Sequence, residues 1–254
     1  MTTLNTRAAK RKPAAIKPSK TTLPSPGNRA RWITAQSPKG GVGKTTCILN
    51  LAEFAAHDGL KVVLLDTDLQ RSLSKWHARR PAEAKPLIMV SRPLREVRQA
   101  IKEIADIPDV DVVLVDTPPA IEYLPDETKI LTQQSDLILV PSTTGAADVE
   151  SVASWMEYLR TTGTFAAFVI NRAIMRVNGR GDDEGVSVGT LSYREAQKNL
   201  NKVGMLCPMP IRQFEDINNT HRYGVGVAEI KGAKGAEDFE ALWHFCRNAA
   251  KVGG

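Results

Sequence analysis

Short, wholly apolar runs alternating with longer amphipathic ones predict an α/β domain: a doubly wound, mostly parallel sheet with helices on both faces. Runs such as "VVLL" at 62–65 are apolar at every position, so both faces of those strands are buried. A helical stretch follows most of them, which is the crossover that parallel neighbours need. The first run is followed by a glycine-rich loop that opens a helix, and ligands of such sheets bind at the carboxyl ends of the strands.

In chain order, "WITAQ" at 32–36 is the first strand, and after the loop "TTCILNLAEFAAHDG" forms a helix that stops at Gly59. "LKVVLLD" is the second strand, and further strands are expected at "PLIMV", "DVVLVD", "DLILVP" and "TFAAFVIN", with a shorter one at "LCPMPI". Helices are expected at "PLREVRQAIKEIADI", "AADVESVASWMEYLR", "SYREAQKNLNKVG" and "EDFEALWHFCRNAAK". Residues 172–189 are polar with four glycines, which predicts a mobile loop.

Charge divides the chain into a tail, 1–31, and a folded domain, 32–254. Residues 1–31 hold eight of the 34 Lys and Arg and no acid, which leaves 26 basic against 28 acidic side chains in the remainder. With Pro13, Pro18, Pro24 and Pro26 and almost no large apolar residue, the tail buries too little surface to offset its ordering entropy and reads as disordered. It is either a polyanion-binding arm or a solvated leader. No apolar run approaches the roughly 20 residues of a membrane-spanning helix. Cys47, Cys207 and Cys246 are scattered, and His244 and Cys246 fall on different helix faces, which argues against disulfides and a zinc site.

The chemistry sits in "SPKGGVGKTT", 37–46. Gly40, Gly41 and Gly43, with Val42 between them, allow backbone N–H groups to converge on phosphate. Helix N-terminal donors from Lys44, Thr45 and Thr46 point the same way. The Lys44 ammonium reaches the β and γ phosphates of a nucleotide, and the Thr45 hydroxyl is a ligand for Mg²⁺. Two strands end in carboxylates, "VVLLDTDLQ" at Asp66, with Asp68 on the same side if extended geometry persists, and "DVVLVDTPP" at Asp116; Asp66 and Asp116 join Thr45 as the candidate Mg²⁺ residues.

The strict G-x-x-x-x-G-K-[ST] pattern fails because Pro38 replaces its first glycine, while Lys39 precedes the glycine run. "KGGVGKTT" resembles the deviant Walker A motif of the ParA/MinD family of ATPases. The resemblance covers residues 32–254, with strong motifs up to Asp116, and implies a P-loop NTPase that binds ATP with Mg²⁺. It implies that Lys39 reaches across a sandwich homodimer to the partner's nucleotide, that Asp68 serves hydrolysis and that Asp66 supports it. It further implies that Asn171, in "FVINR", contacts adenine and that Pro210, in "PMPIR", lies near the base. Leu69 stands where the family pattern D-x-D-P-Q has proline.

Within that superfamily, the cysteine arrangement of nitrogenase iron protein is missing, and the C-terminal helix is too poor in cations for MinD-like membrane binding. A metabolic synthase such as dethiobiotin synthetase has little use for Lys39. The nearest resemblance is to small ParA-type partition ATPases: cytoplasmic, nucleoid-associated, binding DNA without sequence preference and stimulated by a ParB-type partner. Positioning of a protein cargo is the alternative. Arg172, Arg176, Arg194, Lys198, Arg212 and Arg222 are candidate DNA contacts.

Overall fold

A computed structural model describes residues 29–119, 121–178 and 186–253. The elements run β1 (Arg31–Ala35), α1 (Lys44–His57), β2 (Val62–Asp66), α2 (Ser72–His77), β3 (Ile88–Ser91), α3 (Val97–Ala105), β4 (Val112–Asp116), α4 (Pro125–Gln134), β5 (Leu137–Ser142), α5 (Ala146–Thr162) and β6 (Ala166–Ile170). They continue with β7 (Met175–Asn178), β8 (Val186–Gly189), α6 (Leu191–Val203), β9 (Met205–Leu206), α7 (Glu215–Tyr223) and α8 (Ala236–Ala250).

Seven strands form one parallel sheet in the order β3-β2-β4-β1-β5-β6-β9. Strand periodicity sends alternate side chains to two separate cores. Val62 and Leu64 of β2 and Val112 and Leu114 of β4 face α1 and α8, joining Leu51, Phe239 and Trp243. Their neighbours Val63, Leu65, Val113 and Val115 face the other layer, where Ile104 of α3, Leu131 of α4, Leu159 of α5 and Leu200 of α6 pack. Both faces are dry, which is why these strands carry no polar alternation.

Four expectations need correction. The run "LCPMPI" yields only the two-residue β9; Pro208 and Pro210 have no N–H to give to a ladder, so the chain continues beside β6 through Cys207 N to Phe168 O (2.8 Å) and Ile211 N to Ile170 O (2.9 Å). Residues 172–189 are not simply a loop: β7 and β8 pair antiparallel with Met175 opposite Gly189, while 179–185 lie outside the described residues. Helices α2, α4 and α7 were unexpected. Of the tail, 1–28 lies outside the described residues, and Arg31 already opens β1.

Candidate functional site

Parallel pairing brings the carboxyl ends of β1, β2 and β4 together, with Asp66 and Asp116 side by side in register and Ala35 beside Asp116. The loop after β1 crosses this edge and enters α1 at Gly43, whose left-handed φ of 101° suits glycine. A Cβ there would lie 1.8 Å from Asn171 Nδ2. That amide donates to Val42 O (2.8 Å), and Val42 itself is buried, so Asn171 pins the loop from the end of β6. On the other side, a Cβ on Gly40 would touch Pro119 in the turn after β4 (3.7 Å). Gly41, at φ 76°, is open to solvent.

The two lysines of the loop point to different places. Lys44 is buried and donates to Lys39 O (2.9 Å) and Ser37 O (3.4 Å). Burial lowers its pKa, opposed by the nearby Asp116, Asp68 and Glu122 carboxylates. Lys39 keeps 44% of its side chain exposed, and its ammonium lies 3.7 Å from Asp148 in the first turn of α5. An exposed pair at that distance contributes about 0–1 kcal/mol, so the lysine is loosely tethered. Asp148 is oriented by Thr143 Oγ1 (2.6 Å).

Asp116 is 1% exposed and accepts from Thr45 Oγ1 at 2.6 Å through one oxygen. Its other oxygen, Oδ1, is buried without a donor. Burial pushes its pKa up to about 7; the Thr45 bond and Lys44 oppose this, and Asp66 and Asp68 add to it. A buried carboxylate oxygen beside a threonine hydroxyl is a donor set that suits a hard divalent cation. Among the described residues no group of three or more His, Cys, Asp or Glu forms a self-sufficient metal cage.

Asp66 is otherwise engaged. Its Oδ1 accepts from Asp68 N (3.1 Å) and its Oδ2 from Ser74 N (2.8 Å) and Ser74 Oγ (2.7 Å), so it ties α2 to the strand end. Extended geometry stops at Asp66: Asp68 instead accepts from Gln70 N (2.9 Å) in a local turn, and Arg71 follows with φ 53°. Asp68 still lies near enough to Lys44 and Asp116 to influence both. Beside it a cavity of about 340 Å³ runs between Leu69 and Gln70 on one wall and Pro118, Tyr123 and Leu124 on the other.

Thr46 and Asn171 line a smaller cleft with Arg172, Arg212 and Phe214. Pro210 is buried and does not line it. Arg212 closes the cleft instead, its guanidinium 5.0 Å from the Phe214 ring and bonded to Asp238 Oδ1 at 2.7 Å. Sequence reading missed Ser74, Asp148 and Phe214. Only Asp148, an acid at the start of an expected helix after "STTG", left a signal; the others depend on tertiary placement.

The sequence matches the CobQ/CobB/MinD/ParA nucleotide-binding domain family over residues 33–230. It is 27% identical to protein VirC1 of Rhizobium radiobacter over 186 residues, covering 71% of this chain and 76% of that protein. It is 30% identical to the maintenance of carboxysome distribution protein A of Gloeobacter kilaueensis over 213 residues, covering 83% of this chain and 89% of the relative. The fold is similar to that of the septum site-determining protein MinD of Pyrococcus horikoshii, solved with Mg-ADP, with a TM-score of 0.67 at 18% identity over 87% of this chain and 98% of that one. With its glycine loop, paired lysines and strand-end carboxylates on a seven-stranded parallel sheet, the chain belongs to the ParA/MinD-type nucleotide-binding ATPases.

Proposed function

We propose that the protein is a ParA-type ATPase whose ATP-bound form is a sandwich homodimer that binds DNA without sequence preference, and whose hydrolysis is stimulated by a ParB-type partner during plasmid or chromosome partition. The observation that carries this reading is the division of labour between the two lysines: Lys44 is buried within its own loop, while Lys39 is half-exposed on a weak tether. A lysine serving only its own subunit's phosphates has no need of that outward position.

Within one subunit, N–H groups of 40–46 bind the phosphates and Lys44 balances their charge. Mg²⁺ fits Thr45 Oγ1 and the donor-free oxygen of Asp116, and when bound it neutralises charge on the β and γ phosphates. Asp66 keeps the supporting role through Ser74, holding the loop that carries Asp68. Asp68 orients the attacking water, and Lys39 from the partner subunit stabilises the charge that spreads in the transition state. Asn171 acts on the base site through the loop it pins, while Pro210, buried and absent from the cleft lining, takes no part in it.

Exposed Leu69 (70%) and Tyr123 (81%) flank the cavity beside Asp68 and favour a second copy seated over this edge. The likeness to a carboxysome-distribution protein favours, as a second reading, a protein cargo in place of a replicon. No described helix is long and apolar enough to cross a membrane.

Sedimentation with ATP and Mg²⁺ tests the lysine assignment. Lys44→Ala should lose nucleotide binding, whereas Lys39→Ala should bind ATP yet stay monomeric; an intact ATP dimer of the Lys39 variant overturns the trans role. Asp68→Ala should accumulate the dimer, and undiminished phosphate release would remove Asp68 from the reaction.

A further inference from the structure

Helix α2 introduces a surface that the linear sequence does not display. Residues 71–80, "RSLSKWHARR", hold four Lys or Arg and no acid. Arg80 is withdrawn into the interior, where it pairs with Glu53 (2.9 Å) and Glu229 (2.8 Å). Arg71, Lys75 and Arg79 remain exposed. Lys75 lies in α2, Arg71 is its left-handed N-cap (φ 53°) and Arg79 falls in the turn just past it; Lys75 N bonds Arg71 O at 2.9 Å and Arg79 N bonds Trp76 O at 3.0 Å, so the three backbone positions follow one another over about 12 Å.

A second element extends that column. The C-terminal end of α7 docks on α2 through His221 Nε2 and Ser72 O (3.0 Å) and through Arg79 Nη1 donating to His221 O (3.3 Å). Gly224 ends α7 at φ 67°, and a Cβ there would lie 2.4 Å from the Arg79 carbonyl carbon, so the two backbones touch. This contact delivers Arg222, exposed and lying 5.8 Å over the exposed ring of Tyr223, to the edge of the α2 column. The acids of α7, Glu215 and Asp216, sit in its first turn, about two turns away.

We propose that Arg71, Lys75, Arg79 and Arg222 form a duplex-DNA backbone site on the α2–α7 face. The inference rests on the DNA-binding reading above and names its surface. Charge complementarity selects the occupant: a duplex presents one negative charge per about 1.7 Å of axis, and a column of cations without interleaved acids matches it. Tyr223 is the one large apolar side chain exposed on α2 or α7, too little to anchor either helix in lipid. The surface also hangs on the nucleotide edge, because Arg71 N bonds Asp68 O (3.0 Å) and Asp66 Oδ2 holds Ser74 of α2 (2.8 Å from the backbone N). The face assigned here differs from that of Arg194 and Lys198, which lie with Lys202 along α6. Arg212 is committed to Asp238 (2.7 Å) and is not part of it.

The test uses the full chain with ATP and Mg²⁺ and a short random-sequence duplex, titrated across salt. A triple variant, Arg71→Gln with Lys75→Gln and Arg222→Gln, spares the packed Arg79. It should bind at least about tenfold more weakly, with a log-log salt slope shallower by roughly 2.7, while its fluorescent-nucleotide affinity and melting temperature stay those of the native chain. The companion variant Arg194→Gln, Lys198→Gln, Lys202→Gln should retain the native slope. Native affinity and slope in the α2–α7 variant, or a loss confined to the α6 variant, overturns the assignment and leaves DNA binding standing. A native chain that binds no duplex with ATP, ADP or neither removes the DNA reading and this site together.

Discussion

Asp116 shows how a functional side chain costs stability. Its carboxylate is buried with one oxygen lacking a donor, and its pKa is pushed up to about 7 by burial. The unfolded chain releases that proton near pH 3.8 and the folded chain near 7, so this group's contribution to stability falls as pH rises between those values and is flat above them. Asp116→Asn should therefore melt higher at pH 8 without Mg²⁺, by about 4–8 °C if relieving the charge is worth on the order of 2 kcal/mol. The same variant should not hydrolyse ATP, and calorimetry beside a phosphate-release assay reads both. Hydrolysis by the native protein should decline below about pH 7 at limiting Mg²⁺, because the carboxylate must shed its proton to take the cation. Gly43→Ala meets Asn171 Nδ2 at 1.8 Å as well as an unfavourable φ, and should lose nucleotide binding. Asn171→Ala removes the 2.8 Å bond to Val42 O and should raise the Kd for ATP about tenfold, measured by fluorescent-nucleotide titration.

Helix α1 starts at the phosphate loop and carries, further along, a buried polar clamp. Asn50 accepts from Val227 N (2.9 Å), while Glu53 binds Arg80 (2.9 Å) and the Gly226 N–H. Arg80 in turn reaches Glu229 (2.8 Å) and stacks over Trp76 of α2 at 5.0 Å. Burial and the neighbouring Glu229 raise the Glu53 pKa to about 9, against the pull of Arg80. Stability from this clamp thus falls as pH rises from about 4.5 towards 9. Glu53→Gln, which cannot ionise, should flatten that part of the pH–melting curve, and an unchanged slope would place the titration elsewhere. The clamp also explains what was legible from sequence. Strands β1 to β6 and helices α1, α3, α5, α6 and α8 declare themselves by apolar runs or periodicity, because each buries a face within the sheet or against it, whereas β7 and β8 pair only with each other and were read as loop. Helix α2 does not: it has six residues, of which only Leu73 and Trp76 are buried, and it is held by Asp66, His221 and Arg80 rather than by an apolar stripe. Helix α7 buries Ile217 and Thr220 alone, and α4 opens with Pro-Asp-Glu and hides two threonines, so neither presents a helical pattern. The site was legible where it depends on local chain geometry, as at Gly43 and Lys44. It was not legible where a distant residue turns a side chain, as Ser74 turns Asp66 and Arg212 replaces Pro210 at the cleft.

In the molecule as a whole, the nucleotide edge is bordered by Leu69 and Tyr123, both largely exposed beside a cavity of about 340 Å³. If this rim is covered in the ATP dimer, Leu69→Ala with Tyr123→Ala should weaken dimerisation by about tenfold or more without altering ATP affinity, since burying each side chain is worth roughly 1.5–3 kcal/mol. Equilibrium sedimentation at several concentrations measures it, and native association of the double variant would exclude the rim from the interface. At the amino ends of the strands, Asp136 gathers the entry of the folded domain: it accepts from Arg29 (2.6 Å), Arg31 (3.1 Å) and Trp32 N (2.8 Å) just before β5 begins. Five residues of β1 separate that anchor from the carboxyl ends, a span of about 17 Å. The molecule thus behaves as a plug with its wiring at the rear: the described chain enters the fold at Arg29 on the side away from the nucleotide loop, so events at the loop leave this entry anchor in place.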